Sequence, residues 1–175
     1  MGNQHFKNTE NGEAPLTLCS FCLAGRLFGV DILDVKEVCE VIQISPIHHA
    51  PQSVLGYMNI RGQIHLVINL RTVFNFEPVA RSPANRVIIF KSVVDEPFGV
   101  IVDSMDDVVM VTSDRIVERR QKNSEPDSEI NEIRKAGPGL SQGVCKLEKG
   151  LMIILNARGI IAEAMNSTLQ LNSCR

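Results

Sequence analysis

The feature that most constrains this chain is an internal repeat. Phe28-Gly29-Val30, followed by Val35-x-Glu37-Val38, recurs as Phe98-Gly99-Val100 followed by Met105-x-Asp107-Val108, at an offset of 70 residues without a gap. A second block, Gly56, Ile60, an apolar run and Asn69-Leu70-Arg71, recurs as Gly143, Leu147, an apolar run and Asn156-Ala157-Arg158 at an offset of 87. One such match could arise by chance in a Val/Ile-rich chain; two in the same order point to a duplicated unit. The change of offset puts a net 17 extra residues in the second copy, around the polar stretch Arg119–Gly143.

Each copy reads as short strands. Leu16–Leu23 and Leu27–Ile32 flank the turn Ala24-Gly25-Arg26, and Val35–Val38 continues as a third strand or a turn into one. Gly56–Phe76 reads as strand, two-residue turn at Arg61-Gly62, β-branched strand Ile64–Leu70 and short helical closure. In the second copy Val87–Phe90, Phe98–Val102 and Val108–Val111 read as strands, and a hairpin turns at Glu148-Lys149-Gly150. Apolar residues at Ile160, Ile161, Ala164, Met165 and Leu169 predict an amphipathic helix over Ile160–Leu171. Five short strands cannot leave their apolar faces open. The expectation is therefore an all-β fold of two packed five-stranded barrels with short helices and a C-terminal helix. The boundaries expected are a flexible leader at 1–14, one domain over 15–162 with barrels at about 16–80 and about 84–160, and a helix or tail at 163–175. A polar connection as long as Arg119–Gly143 is expected to be an insertion or a mobile loop.

Composition removes several function classes. A net charge of −2 and a pI near 6.1 leave no basic footprint for nucleic acid. One Tyr and no Trp leave little to stack on bases. The longest apolar runs, such as Leu151–Leu155, are too short to span a bilayer, so direct membrane insertion is not expected. The polar first thirteen residues lack the apolar segment of an export signal, and five cysteines is an odd number for a disulfide framework. Together these predict a cytoplasmic protein with free thiols.

No constellation for chemistry emerges. Cys19 and Cys22 have C-x-x-C spacing, but residues three apart on a strand face opposite ways and no second pair exists, so core cysteines are expected rather than a metal site. His48 and His49 are adjacent, and His65 sits in an apolar strand without a ligand partner at chelating spacing. Walker A, G-x-S-x-G and H-E-x-x-H patterns are missing, and the Asp106-Asp107 neighbours would diverge on a strand. The expectation is no catalytic residues, no cofactor and no bound metal.

One charge does stand out. Arg61 is the lone formal charge between Gly56 and Leu70, at the tip of an apolar hairpin, and it either points into water or meets a carboxylate. The repeat separates these readings. Glu37 and Arg61 in the first copy correspond to Asp107 and Glu148 in the second, so an opposite-charge couple stands where the other copy has two acids. The couple is not a requirement of the unit itself, which favours a specific role.

These residues carry a family resemblance. Phe28-Gly29-Val30-Asp31-Ile32-Leu33-x-Val35-x-Glu37-Val38, Gly56-x-x-Asn59-Ile60-Arg61-Gly62, Asn69-Leu70-Arg71, Phe98–Asp103 and Met152–Asn156 resemble the CheW family of bacterial chemotaxis coupling proteins, over roughly Leu16–Ala162. The resemblance implies two SH3-like barrels around a shared core, and an adaptor with no chemistry of its own. It also implies partners: a CheA-type histidine kinase and methyl-accepting chemoreceptors, with the protein recruited from the cytoplasm to membrane receptor arrays. A coupling protein of a parallel receptor–kinase array, serving surface motility or another output, is the alternative. Val35, Glu37, Gly56 and Arg61 fall where the family contacts receptor or shapes that surface, with Asn59 and Gly62 completing the hairpin motif. The sequence departs from the family at Asn69, where Asp is usual, and at His65, where an aliphatic residue is common.

Overall fold

The computed structural model describes residues 15–92, 96–112, 115–118, 139–148 and 150–166. The expected leader, most of the polar stretch 119–143 and the end of the predicted terminal helix lie outside these residues.

The first hairpin joins β1 (Leu16–Leu23) to β2 (Arg26–Asp31), and β3 (Val35–Glu40) follows. The second joins β4 (Val54–Ile60) to β5 (Gln63–Asn69) and runs into a single helical turn, α1 (Leu70–Val73). The second copy supplies β6 (Arg86–Phe90), β7 (Phe98–Val102), β8 (Ser104–Val111), β9 (Ile116–Glu118), β10 (Ser141–Leu147), β11 (Gly150–Leu155) and the helix α2 (Ala157–Asn166). β8 begins four residues before the expected Val108, and β9 was not anticipated. α2 starts three residues before Ile160 because Asn156 caps it: its side-chain oxygen accepts from Arg158 N at 3.0 Å. Asn69 does the same for α1 by accepting from Arg71 N, also at 3.0 Å. Asparagine in place of the family's aspartate keeps the cap.

The strands form a six-stranded sheet in the order β8-β1-β2-β11-β10-β9 and a five-stranded sheet in the order β3-β6-β7-β5-β4. This corrects the expected division of the chain near residue 80 into successive barrels. The β1–β2 hairpin of copy one pairs with β8 and β11 of copy two, while the β6–β7 hairpin of copy two pairs with β3 and β5 of copy one. Each sheet is thus built from a hairpin of one copy and the later strands of the other.

The exchange is symmetric down to register. In the parallel pairs, Ile153 faces Phe28 as Leu66 faces Phe98, and Leu155 faces Val30 as Ile68 faces Val100. Bulges recur as well: pairing slips between Val35 and Glu37 against β6, and by the same count across β8 where it passes from Val108 to Met105 against β1.

Three apolar cores follow. Leu18, Val111, Cys145, Met152 and Ile154 fill the six-stranded sheet, and Met58, Ile60, Val67, Val87 and Ile89 fill the five-stranded one. Between them lies a shared core that includes Phe21, Phe28, Phe90, Phe98, Ile68 and Leu155. On β11, Met152 and Ile154 therefore point into one core while Ile153 and Leu155 point into another. A strand buried on both faces reads as a continuous apolar run rather than an alternating one. Phe21–Phe28 and Phe90–Phe98 stack at 5.8 Å and 4.7 Å between ring centres.

Both helices dock on this shared core through Leu70, Val73, Ile160, Ile161 and Ala164. Polar links also tie the two copies together. Arg71 forks onto Asp103, Nε to Oδ1 at 2.9 Å and an NH2 nitrogen to Oδ2 at 2.5 Å, while Ala24 N donates to the same Oδ2 at 2.8 Å. Ser53 Oγ donates to Ala164 O in the last turn of α2 at 2.8 Å.

A candidate coupling surface on the five-stranded sheet

β3 and β4 are the two outer strands of the five-stranded sheet, and the site forms where the sheet rolls far enough to bring them together. Just beyond β3, Ser45 and Tyr57 exchange two backbone hydrogen bonds, each 2.8 Å long. At the other end, an Arg61 NH2 nitrogen lies 3.5 Å from Glu37 Oε2, and Lys36 Nζ donates to Gln63 Oε1 at 2.5 Å. These contacts close the barrel.

The hairpin turn presents Arg61 by backbone geometry. Arg61 and Gly62 both have positive φ, +51° and +85°, the signature of a primed two-residue turn. Asn59 Oδ1 accepts from Gly62 N at 2.9 Å and holds the turn shut. Asn59 and Gly62 thus shape the turn, and Arg61 projects from it with its side chain 84% exposed against 23% for Glu37. The two sequence readings of Arg61 are both realised, since it stands in water and meets a carboxylate. So exposed a pair contributes only about 0–1 kcal/mol to stability.

Glu37 is aimed by the bulge in β3. With Lys36 taken out of register, Val35 packs against the shared core and Glu37 turns toward the hairpin tip. Gly56 fills a different need. Its φ is +138°, and a β-carbon there would stand 2.1 Å from Ser45 O, inside the bond pair that closes the barrel. Only glycine allows that approach. Ser45 itself was not singled out from sequence, because nothing local marks a residue whose role is to be approached by β4.

Tyr57 and Asn59 share the outward face of β4, which leads into Arg61 in the turn, and Ile64 of β5 pairs with Asn59. Tyr57 is 47% and Ile64 54% exposed, and Val38 adds apolar surface on β3. The closed barrel therefore exposes apolar side chains on the same sheet as the Glu37–Arg61 charge pair, a surface suited to docking another protein.

The remaining candidates lie elsewhere. Cys19 is buried and Cys22 half-buried, and burial pushes the Cys19 thiol up. His65 is buried with Nδ1 3.1 Å from Gln63 O, while His48 and His49 are exposed. Among the described residues no three His, Cys, Asp or Glu side chains cluster as metal ligands, and no helix is long and apolar enough to cross a membrane.

Comparison with known proteins adds the following. The family model for the CheW-like domain matches residues 17–165. Chemotaxis protein CheW of Treponema pallidum (strain Nichols) is 30% identical over 102 residues, 57% of this chain and 60% of that protein. Chemotaxis protein CheW of Klebsiella aerogenes is 32% identical over 96 residues, 55% of this chain and 57% of that protein. These two alignments span less than two-thirds of either relative. The crystal structure of the scaffolding protein TtCheW from Thermoanaerobacter tengcongensis is similar over 82% of this chain and 90% of that one, with a TM-score of 0.67 and 28% identity.

Proposed function

This chain belongs to the CheW-like family, and from that membership we propose that it is a non-catalytic adaptor of chemotaxis signalling. In this reading it couples membrane chemoreceptors of the methyl-accepting type to a CheA-type histidine kinase, and it works in the cytoplasm at the receptor arrays. The observation that carries the reading is the family match over residues 17–165, together with a surface built for contact rather than reaction. The names of the relatives, chemotaxis proteins and a scaffolding protein, support the same conclusion.

Within that function, Val35, Glu37, Gly56, Asn59, Arg61 and Gly62 hold the coupling surface. Gly56, Asn59 and Gly62 do so through backbone shape, Val35 through its anchor in the shared core, and Glu37 and Arg61 as a charge pair on the same sheet as the exposed apolar side chains. An interface of this kind takes its affinity from the desolvated apolar centre and its orientation from the rim charges. Loss of the rim pair therefore weakens assembly more than it weakens the fold.

A pull-down of the tagged chain from native lysate, with the co-purifying proteins identified, tests the assignment. Recovery of a histidine kinase together with chemoreceptors is expected, and the kinase recovered tells a chemotaxis array from a parallel array with another output. Recovery of neither class overturns the proposal.

A further inference from the structure

Neither copy of the repeat can bury its own strands. Among the described residues four strand pairs join the copies, β1–β8, β2–β11, β3–β6 and β5–β7. The shared core is divided in the same way, with Phe21, Phe28 and Ile68 from copy one and Phe90, Phe98 and Leu155 from copy two. A copy left alone would expose its share of that core and the edges of the strands that pair across.

The covalent link between the copies is a plain tether. Residues 77–84 are exposed, hold no helix or strand, and send no side chain into any of the three cores. Both ends of the tether are held by one residue pair. Arg71 Nη1 donates to Glu77 O at 2.8 Å, Asn85 Nδ2 donates to Asp103 O at 3.2 Å, and Arg71 and Asp103 are themselves joined by the fork. The gap is short beside the chain that spans it, since residues 77–85 can reach about 30 Å when extended. That slack lets the tether run outward to a second molecule instead of back across its own.

From this topology we infer that two molecules of this chain exchange halves, copy two of each completing both sheets of the other. Every pairing between copies is then kept, including the Arg71–Asp103 fork and the Ser53–Ala164 bond, and only the path of residues 77–85 changes. The register symmetry fits this exchange. Because Ile153 meets Phe28 as Leu66 meets Phe98, each copy is shaped to receive its equivalent, whichever chain carries it. The Glu37–Arg61 pair and the Ser45–Tyr57 bonds lie inside copy one, so the exchanged dimer carries that surface twice and engages its partners bivalently. The inference rests on topology and stands whether or not the coupling function does.

The tether sets the balance between the two forms. A short flexible connection holds the halves at an effective concentration on the order of 1 mM. Well below that the monomer prevails, and near it the exchanged dimer becomes comparable. Passage between them requires both sheets to come apart, so a dimer once formed persists on dilution.

Cys39 supplies the test, because it stands opposite Val87 in the β3–β6 pair. The wild-type chain is unfolded together with the full chain carrying Val87→Cys and Cys39→Ala, refolded over a range of concentrations and oxidised. Neither molecule can form a disulfide between positions 39 and 87 within itself. That bond arises only where copy two of the variant has paired with copy one of the wild type. A disulfide-linked dimer is expected whose fraction rises about tenfold for each tenfold in protein well below the effective concentration, and Cys39→Ala in the first chain as well removes it. Thr17→Cys in one chain with Met110→Cys in the other, partners across β1 and β8 where Met110 is exposed, repeats the test without touching a core. Absence of both cross-links at about 1 mM protein overturns the inference. So does a dimer of the unmodified chain that falls apart at once on dilution, since surfaces rather than halves would then be holding it.

Discussion

Replacing Gly56 by alanine tests how the barrel is closed. Two costs are legible in the structure. At φ +138° an alanine is held in a region that L side chains rarely occupy, worth about 1–3 kcal/mol. Its β-carbon would also stand 2.1 Å from Ser45 O, so Ser45 must withdraw and the two Ser45–Tyr57 backbone hydrogen bonds are lost, worth about 1–3 kcal/mol together. The expected loss is about 2–6 kcal/mol, a large part of what holds a domain of this size folded. Gly62→Ala is the control: φ there is +85°, but an added β-carbon meets nothing within 4 Å, so only about 1–2 kcal/mol of strain is expected. Urea unfolding at pH 7 measures both, with an unchanged m-value showing that the difference lies in stability. If Gly56→Ala costs no more than Gly62→Ala, the Ser45 contact does not close the barrel and the account of the site fails.

Asp103 makes a pH prediction. Burial pushes its carboxyl up, but the Arg71 hydrogen bonds, the Ala24 N–H and the Arg71 charge outweigh it and leave the pKa below its ordinary 3.8. A depressed folded pKa contributes stability that is present above about pH 4 and lost as pH falls through the folded value. Asp103→Asn should therefore flatten the acid limb of the stability–pH curve. Asp34, raised by its own burial and by Asp31, works in the opposite sense, so the wild-type-minus-variant difference is the quantity to read. Ser53→Ala leaves Ala164 O in a buried setting without its donor and should cost about 1–3 kcal/mol by urea unfolding, whereas Ser53→Thr should recover part of it if the γ-oxygen keeps its place.

Much of this fold was written in the repeat. The offsets of 70 and 87 mark the equivalent strands, and the parallel pairs Ile153–Phe28 and Leu66–Phe98 obey both. Which hairpin joins which sheet was not legible. Apolar pattern tells which face of a strand is buried but does not name its neighbour, and β1 could pair with β6 or β8 on composition alone. The early start of α2 could have been read from Asn156, whose match to Asn69 was already noted. β9, three residues beside a polar stretch, gives no periodic signal. At the site, the Glu37–Arg61 meeting was legible because the copies differ in charge there. The reason for Gly56 was not, because it depends on Ser45 arriving from across the barrel.

The proposed coupling role makes Glu37 and Arg61 the charged edge of the surface that would meet receptor and kinase. The most direct measurement is a double-mutant cycle on ternary assembly, read as co-sedimentation of a CheA-type kinase with receptor-bearing membranes. It uses Glu37→Arg, Arg61→Glu and the double reversal. Each single reversal should leave the melting curve within about 1 kcal/mol of the parent while reducing the kinase recovered with membranes, and the double reversal should restore part of that loss. Unchanged recovery in the single variants would contradict the claim, and strictly additive losses would show that the two residues act separately rather than as the pair that shapes the surface.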